Sequence, residues 1–159
     1  IIEREKPDMV VIDTTNEHGA LDRLHELGYS KRLVKGVHFG EKSMDPTHHR
    51  NKRVEMYFSM REWIEDERVS IPSNQRFLTE LGAIPVEKYS SGTEVASLVS
   101  KDDIRAQLGF SPDLLDAAVL TFAFPVRKKI SLDRNENSGS VKTVDIKFVS
   151  TLRSTRRLR

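Results

Sequence analysis

The chain has 159 residues and a formal net charge of +2, and 37% of its residues are hydrophobic and 31% charged. This size and composition suit one domain with a modest core, with or without a tail. The absence of cysteine excludes a disulfide scaffold, a cysteine nucleophile and a zinc–thiolate site, and no apolar run approaches the ~20 residues that a membrane-spanning helix needs.

Predicted strands and helices alternate along most of the chain. The apolar run at residues 9–12 predicts a central strand that is buried on both faces. Leucines at helical spacing then predict a helix over residues 20–27, followed by Gly28. The other predicted elements are strands at 33–39, 86–89 and 94–99 and helices at 52–67, 74–81, 102–108 and 111–124. This alternation predicts an α/β fold with parallel strands in its middle.

The C-terminal segment differs from the rest of the chain in charge. Residues 1–126 carry 16 basic and 21 acidic side chains, whereas residues 127–159 carry 10 basic and 3 acidic ones. Alternating apolar and polar residues at 141–149 predict a strand that pairs with residues 126–132 in a hairpin. A basic tail on an acidic body indicates contact with a polyanion, and a solubilising or disordered terminus explains it equally well.

Asp13 comes directly after the first predicted strand. In open α/β sheets, ligand sites lie beyond the carboxyl ends of the strands, where the sheet fixes the backbone of a carboxylate that faces solvent. An aspartate at the start of a polar loop also suits an Asx turn, in which the carboxylate bonds its own backbone. Both interpretations stay open from the residues alone.

Two carboxylates begin the last predicted helix. We expect Ser111 as its N-cap and Pro112 as its first residue. Asp113 then lies in the first turn, where the positive end of the helix stabilises a carboxylate. Asp116 shares its face, but the residues that follow are mostly apolar, and a metal ion would neutralise a charge that is costly to bury. The alternatives are helix-start chemistry for Asp113 and plain surface exposure for Asp116.

Lys101 precedes two aspartates at the start of another predicted helix. Its ammonium group suits a phosphate contact or an ordinary surface ion pair, and the surface ion pair is the simpler interpretation. The sequence has no glycine-rich phosphate loop ending in Gly-Lys-Ser or Gly-Lys-Thr, so it does not hydrolyse ATP by that route.

An ordered series of segments extends over roughly residues 1–125. Its longest members are Asn51-Lys52-Arg53-Val54-Glu55-Met56, Ser100-Lys101-Asp102-Asp103-Ile104-Arg105 and Ser111-Pro112-Asp113-Leu114-Leu115-Asp116-Ala117. Shorter members are segments 10–13, 19–24, 37–40 and 71–72 and Tyr89. Taken together and in this order, the series resembles the C-terminal nuclease domain of the large terminase subunit of tailed bacteriophages.

The resemblance implies a ribonuclease-H-like α/β fold, with a mixed sheet and flanking helices, over residues 1–126. It implies a metal-dependent endonuclease that cuts concatemeric double-stranded DNA by two-metal hydrolysis with Mg²⁺ or Mn²⁺. By motif match, Asp13, Asp113 and Asp116 are the catalytic, metal-binding carboxylates, and Lys101 is a basic position near the site. In the basic tail at 127–159, Arg127, Lys128 and Lys129 are expected to contact DNA.

The resemblance also implies partners and a missing part. The partners are double-stranded DNA, the terminase ATPase domain (normally in the same chain), the small terminase subunit and the portal. The setting is the host cytoplasm, without a membrane, for a phage or prophage protein. The first metal-binding Asp of the family lies on an earlier strand than Asp13. We therefore expect a partial or decayed chain that lacks its first strands and that carboxylate, so that alone it need not cut DNA.

Two other functions remain open. A Holliday-junction-type resolvase shares the implied fold and an acidic pair on its last helix, although segments 51–56 and 100–105 favour the terminase. A non-catalytic module for DNA binding or motor assembly would use the basic tail and keep the carboxylates as relics. Such a module would bind DNA in a salt-sensitive manner that survives loss of the acidic residues.

Overall fold

The computed structural model describes residues 1–66, 69–83, 88–89 and 95–126, with the side chains of residues 88, 89 and 101 outside the description. The predicted hairpin and tail, with Arg127, Lys128 and Lys129, lie outside the described residues. Among the described residues, no helix is long and apolar enough to cross a membrane.

Two parallel strands organise the first half of the chain. After a short helix α1 at Ile2–Glu5, strand β1 spans Val10–Asp13 and strand β2 spans Val34–Val37, and Asp13 lies beside Val37 in the register. Helix α2 at Gly19–Glu26 forms the crossover between them, which a parallel connection requires. The predicted parallel pair is thus confirmed.

The prediction that β1 is buried on both faces is wrong. All four of its residues are half-buried, whereas Val34 and Val37 at the ends of β2 are each 1% exposed. Within the part of the chain that the structure describes, β1 pairs along one edge only, with β2. An apolar run marks a strand correctly, but the degree of burial depends on how many elements cover it.

Gly36 allows α2 to pack closely against β2. A Cβ atom built at this glycine would lie 2.7 Å from Cδ2 of Leu21 and 2.8 Å from Cγ2 of Thr14. Both distances are shorter than a carbon–carbon contact allows, so a side chain here would force the Leu21 and Thr14 side chains, or the elements that carry them, to move. Glycine therefore sets the spacing between α2 and the strand pair beside Asp13.

Helix α3 at Lys52–Glu65 and helix α6 at Asp113–Val119 pack across the main core. The Asn51 side chain caps α3 by accepting from the backbone N–H of Val54 at 3.0 Å. The core is a single cluster of buried side chains. They come from both helices, from β2, from the residues that follow β2 and α6, and from helix α4 at Gln75–Gly82. Its members are Val37, Phe39, Met56, Tyr57, Met60, Phe77, Leu115, Ala118, Val119, Leu120 and Ala123.

The remaining elements lie around this core. Strand β3 at Lys88–Tyr89 pairs antiparallel with strand β4 at Ala96–Ser97. Helix α5 spans Lys101–Leu108 and ends at Gly109, whose positive φ of 76° is typical of a left-handed C-cap. The structure thus has the predicted helix closed by a glycine at this place.

The last helix is shorter than predicted and begins later. Pro112 has φ −77° and ψ 56°, which is outside the helical region, so Pro112 is the N-cap and Asp113 the first residue of α6. The predicted N-cap Ser111 lies outside the helix, and its carbonyl accepts from the backbone N–H of Asp113 at 2.8 Å. After Val119 the chain tightens into a 3₁₀ turn at Leu120–Phe122.

Candidate functional site

Asp13 ends β1 and directs the loop that follows it. Its Oδ1 accepts from the backbone N–H of Thr15 at 2.9 Å and from the Thr15 hydroxyl. That hydroxyl oxygen accepts in turn from the backbone N–H of Phe39 at 3.1 Å, which ties the loop to the end of β2. Asp13 therefore lies at the carboxyl end of the parallel pair, as predicted, and one of its oxygens makes the Asx-type turn that was the alternative.

Asp113 lies on the surface. As the first residue of α6, its exposed carboxylate is placed where the helix dipole favours a negative charge. The helix-start explanation accounts for this residue without a ligand.

Asp116 is buried, with 7% of its surface exposed, and helix α3 compensates its charge. The Tyr57 hydroxyl donates to Oδ1 of Asp116 at 2.8 Å, and Nη2 of Arg53 lies 3.9 Å from the same oxygen. The guanidinium carbon of Arg53 is 5.1 Å from the centroid of the Tyr57 ring, within range of a cation–π contact. The surface position considered for Asp116 is therefore wrong, and its Oδ1 lies in an Arg53–Tyr57–Asp116 cluster that compensates the charge.

The Arg53–Tyr57–Asp116 cluster changes the pKa of the Tyr57 phenol. Burial raises the pKa of Tyr57 well above its usual value, the charge of Asp116 raises it further, and the nearby Arg53 opposes both. The neutral phenol is the form that can donate to the carboxylate, so the pKa shift and the hydrogen bond have the same origin.

The Tyr57 pKa predicts a loss of stability at alkaline pH. The folded protein holds the Tyr57 proton more tightly than the unfolded chain does, and this stabilises the fold. The stabilisation is complete at pH values below the unfolded pKa of about 10, and it is lost as pH rises through the higher pKa of the folded state. We expect the difference in unfolding free energy between the parent and Tyr57→Phe to be constant up to pH 9 and to shrink above pH 10. Urea unfolding at a series of pH values measures it, and a difference that does not change would contradict the cluster.

A second buried carboxylate holds the start of α6. Glu80 of α4 is 0% exposed, and its Oε2 accepts from the backbone N–H of Leu115 at 2.8 Å. Its other oxygen accepts from Nε of Arg76 at 2.9 Å. Glu80 thus serves as a cap from another helix, because Pro112 has no side chain that could satisfy the first N–H groups of α6.

Glu55 fixes the loop that precedes α3. Its Oε2 accepts from the Ser43 hydroxyl at 2.8 Å and from the backbone N–H of Met44 at 2.7 Å, and its Oε1 accepts from the buried Lys52 ammonium. Burial raises the pKa of Glu55, but these three donors together lower it below its ordinary value. The N-terminal turn of α3, which carries Arg53, is therefore anchored to residues 43–44.

The predicted ligands do not meet as a three-carboxylate group. Among the described residues, which include Asp13, Asp113 and Asp116, no three His, Asp or Glu side chains are grouped so that they could hold a metal ion. The described side chains alone therefore do not fit a two-metal site. The assignment of these three residues as ligands stays a prediction, as does Lys101, whose backbone begins α5 but whose side chain is not described.

Three residues of the site were not predicted individually. Arg53 belongs to segment 51–56 and Tyr57 to the predicted helix at 52–67, and neither they nor Glu80 were candidate site residues. A signal for Glu80 exists, because it lies on the same helical face as Phe77 and Ala83, both of which are buried. A charge among apolar residues at this spacing indicates a buried partner.

Comparison with solved structures assigns the fold to a class. The chain has the ribonuclease-H-like fold of the nuclease domain of a phage large terminase subunit, which confirms the predicted fold class and the resemblance. No family model matches the sequence, and no curated protein matches it significantly.

The matching structures come from the large terminase subunit of bacteriophage Sf6. Its nuclease domain superposes with a TM-score of 0.56 at 18% identity, over 79% of this chain and 69% of that one. Point-mutant forms of the Sf6 domain with calcium and with manganese each give a TM-score of 0.58 at 18% identity. Each match covers 78% of this chain, and it covers 68% of the calcium form and 69% of the manganese form. At this level of identity the likeness establishes the fold.

Proposed function

We propose that the chain is the endonuclease domain of a phage DNA-packaging terminase, which cuts concatemeric double-stranded DNA. The observation that carries the proposal is the superposition on the Sf6 nuclease domain over 78% of the chain. The placement of Asp13 at the carboxyl end of a parallel pair supports it, since ligand sites of such sheets lie there.

We further propose that cleavage requires Mg²⁺ or Mn²⁺ at a two-metal site. The solved structures of the Sf6 domain with calcium and with manganese support a divalent cation. Asp13, Asp113 and Asp116 offer the oxygen donors that hard cations prefer. Because these residues do not form a closed donor set in the described structure, we assign them no individual step of the reaction.

The proposed partners follow from the same function. They are double-stranded DNA, the terminase ATPase domain, the small terminase subunit and the portal, in the cytoplasm of a phage-infected host. Lys101 and the basic residues Arg127, Lys128 and Lys129 are the proposed DNA contacts, since lysine and arginine neutralise phosphates.

A non-catalytic DNA-binding or assembly module is the second candidate. Two observations favour it: the carboxylate of Asp116 is engaged by Tyr57 and Arg53, and the described residues gather no three-ligand group. Such a module keeps the nuclease fold and binds DNA, but does not hydrolyse it.

Nicking of supercoiled plasmid separates the two candidates. We expect cleavage with Mg²⁺ or Mn²⁺, lowered at least ~100-fold, or ~2.7 kcal/mol of barrier, by Asp13→Asn. Asparagine keeps the acceptor oxygen for Thr15, so the turn is preserved while the charge is lost. Asp22→Asn, which removes the same charge from an exposed site on α2, is the matched control and should cut like the parent.

Two results would reject the nuclease proposal. The first is a chain that binds duplex DNA in a salt-sensitive manner but cuts with neither cation, even after the upstream strands that the resemblance implies are restored, which is the behaviour of the non-catalytic module. The second is equal cleavage by the parent, by Asp13→Asn and by Asp116→Asn, which would trace the cutting to a contaminant.

A further inference from the structure

A small cavity opens at the start of α3, beside the cluster that holds Asp116. Its volume is about 130 Å³, well above the ~10–15 Å³ that one water requires. Its lining residues are Arg50, Asn51, Arg53, Val54, Ser97 and Leu98. Two of these described residues are arginines and none of them is acidic, so this lining favours an anion.

Arg53 lines this cavity, and part of its guanidinium group is buried. Its side chain is 12% exposed, and both Nε and Nη2 are buried without a hydrogen-bond acceptor among the described residues. The 3.9 Å from Nη2 to Asp116 is an ion-pair distance, too long for a hydrogen bond. A guanidinium group has five donors, so Arg53 can neutralise Asp116 and still bind an oxyanion in the cavity.

The backbone around Arg50 is fixed, which makes the cavity a defined feature. The backbone N–H of Arg50 donates to the carbonyl of Ala96 at 3.2 Å, and the N–H of Ala96 donates to the carbonyl of His48 at 2.7 Å. These bonds join the loop before α3 to β4, so that the two sides of the cavity are held together. Arg50 itself is exposed, and its charge is available at the rim.

We propose that this cavity, the Arg50–Arg53 pocket, binds one phosphate of the DNA backbone. The proposal deepens the proposed function and rests on it for the identity of the ligand. Planar guanidinium groups match the oxygens of a phosphate in pairs, and two arginines without a lining carboxylate suit a phosphodiester better than a cation or an apolar ligand. Because Arg53 also lies 3.9 Å from Asp116, a phosphate bound in this pocket would lie near the start of α3 and close to that carboxylate.

The salt dependence of duplex binding tests the pocket. Fluorescence anisotropy with a labelled 20-base-pair duplex should show that Arg50→Gln weakens binding about 3- to 10-fold and lowers the slope of log K against log salt by ~0.9, the value for one phosphate. The matched control is Arg32→Gln. Arg32 is exposed and lies just before β2, at the end of the strand pair opposite to Asp13. This variant should leave the slope unchanged.

A second measurement uses inorganic phosphate with the full chain. NMR of arginine Nε–H groups should show the Arg53 signal move on titration with phosphate in the parent, and move less in Arg50→Gln. A duplex slope that is equal in the parent, Arg50→Gln and Arg32→Gln overturns the pocket even if the plasmid is cut. A parent chain that does not cut the plasmid, even with the upstream strands restored, but whose Arg53 signal still moves with phosphate rejects the proposed function and leaves the pocket in place. An Arg53 signal that ignores phosphate overturns the pocket.

Discussion

Replacement of Asp116 by alanine is expected to lower the free energy of unfolding by about 3–5 kcal/mol, the usual cost of removing one partner of a buried ion pair. Both side chains are well shielded, with 12% of Arg53 and 9% of Asp116 exposed, so solvent screens the lost interaction little. The Tyr57 hydroxyl loses its acceptor as well. The guanidinium of Arg53 then remains buried without its counter-charge, and this accounts for most of the effect.

Urea unfolding followed by circular dichroism measures this loss, and the same helix provides the control. Asp113→Ala removes an exposed carboxylate from the first turn of α6 and should cost only about 0.3–1 kcal/mol. The double variant Arg53→Met with Asp116→Leu should recover much of the loss, because an apolar pair replaces both charges together. Equal effects of Asp113→Ala and Asp116→Ala would show that Asp116 is not held as described.

This result affects how loss of activity is interpreted. If the Asp116→Ala protein were inactive, loss of a metal ligand and displacement of α6 would explain the result equally well. Asp116→Asn keeps an acceptor oxygen for the Tyr57 hydroxyl, so it is the better variant for a cleavage assay.

Glu80→Ala is expected to destabilise the protein by about 2–3 kcal/mol. The buried N–H of Leu115 loses its acceptor, and a hydrogen bond to a charged group contributes about 1.5–3 kcal/mol. The ion pair with Arg76 adds little, because the Arg76 side chain is 50% exposed and screened by water. Thermal unfolding should show the midpoint fall by roughly 5–10 °C.

Two variants establish that the cap causes this change. Glu80→Gln keeps an acceptor for Leu115 and should recover part of the loss. Glu62→Ala removes an exposed glutamate from α3 and should change stability by less than ~0.5 kcal/mol. Faster amide exchange at Leu115 in Glu80→Ala would locate the effect at the start of α6, and an unchanged rate there would argue against the cap.

Local patterns in the sequence predicted most of the elements correctly. Asn51 and Gly109 cap the helices that were expected near them, and the apolar run before Asp13 is a strand. The errors concern features that depend on neighbours in space. Burial of β1 depends on what covers its faces, and the start of α6 depends on the conformation that Pro112 adopts.

The site was harder to predict because its contacts are distant in sequence. Tyr57 and Asp116 are 59 residues apart, and Glu80 and Leu115 are 35 apart. No periodic pattern links such positions, so the burial of Asp116 was a reasonable inference while the identity of its partner was not. A resemblance supplied the candidate carboxylates, but only the packing of α3 against α6 shows what compensates Asp116.

The close approach at Gly36 also constrains how far this sequence can diverge. In their present rotamers neither Leu21 nor Thr14 leaves room for a methyl group, so a relative with another residue at this position must turn these side chains or shift α2 or the loop after Asp13. At 18% identity, whole-chain alignment retains little signal. A glycine 23 positions after the strand-ending aspartate is favoured on these steric grounds, and it is a feature to look for when distant sequences are compared.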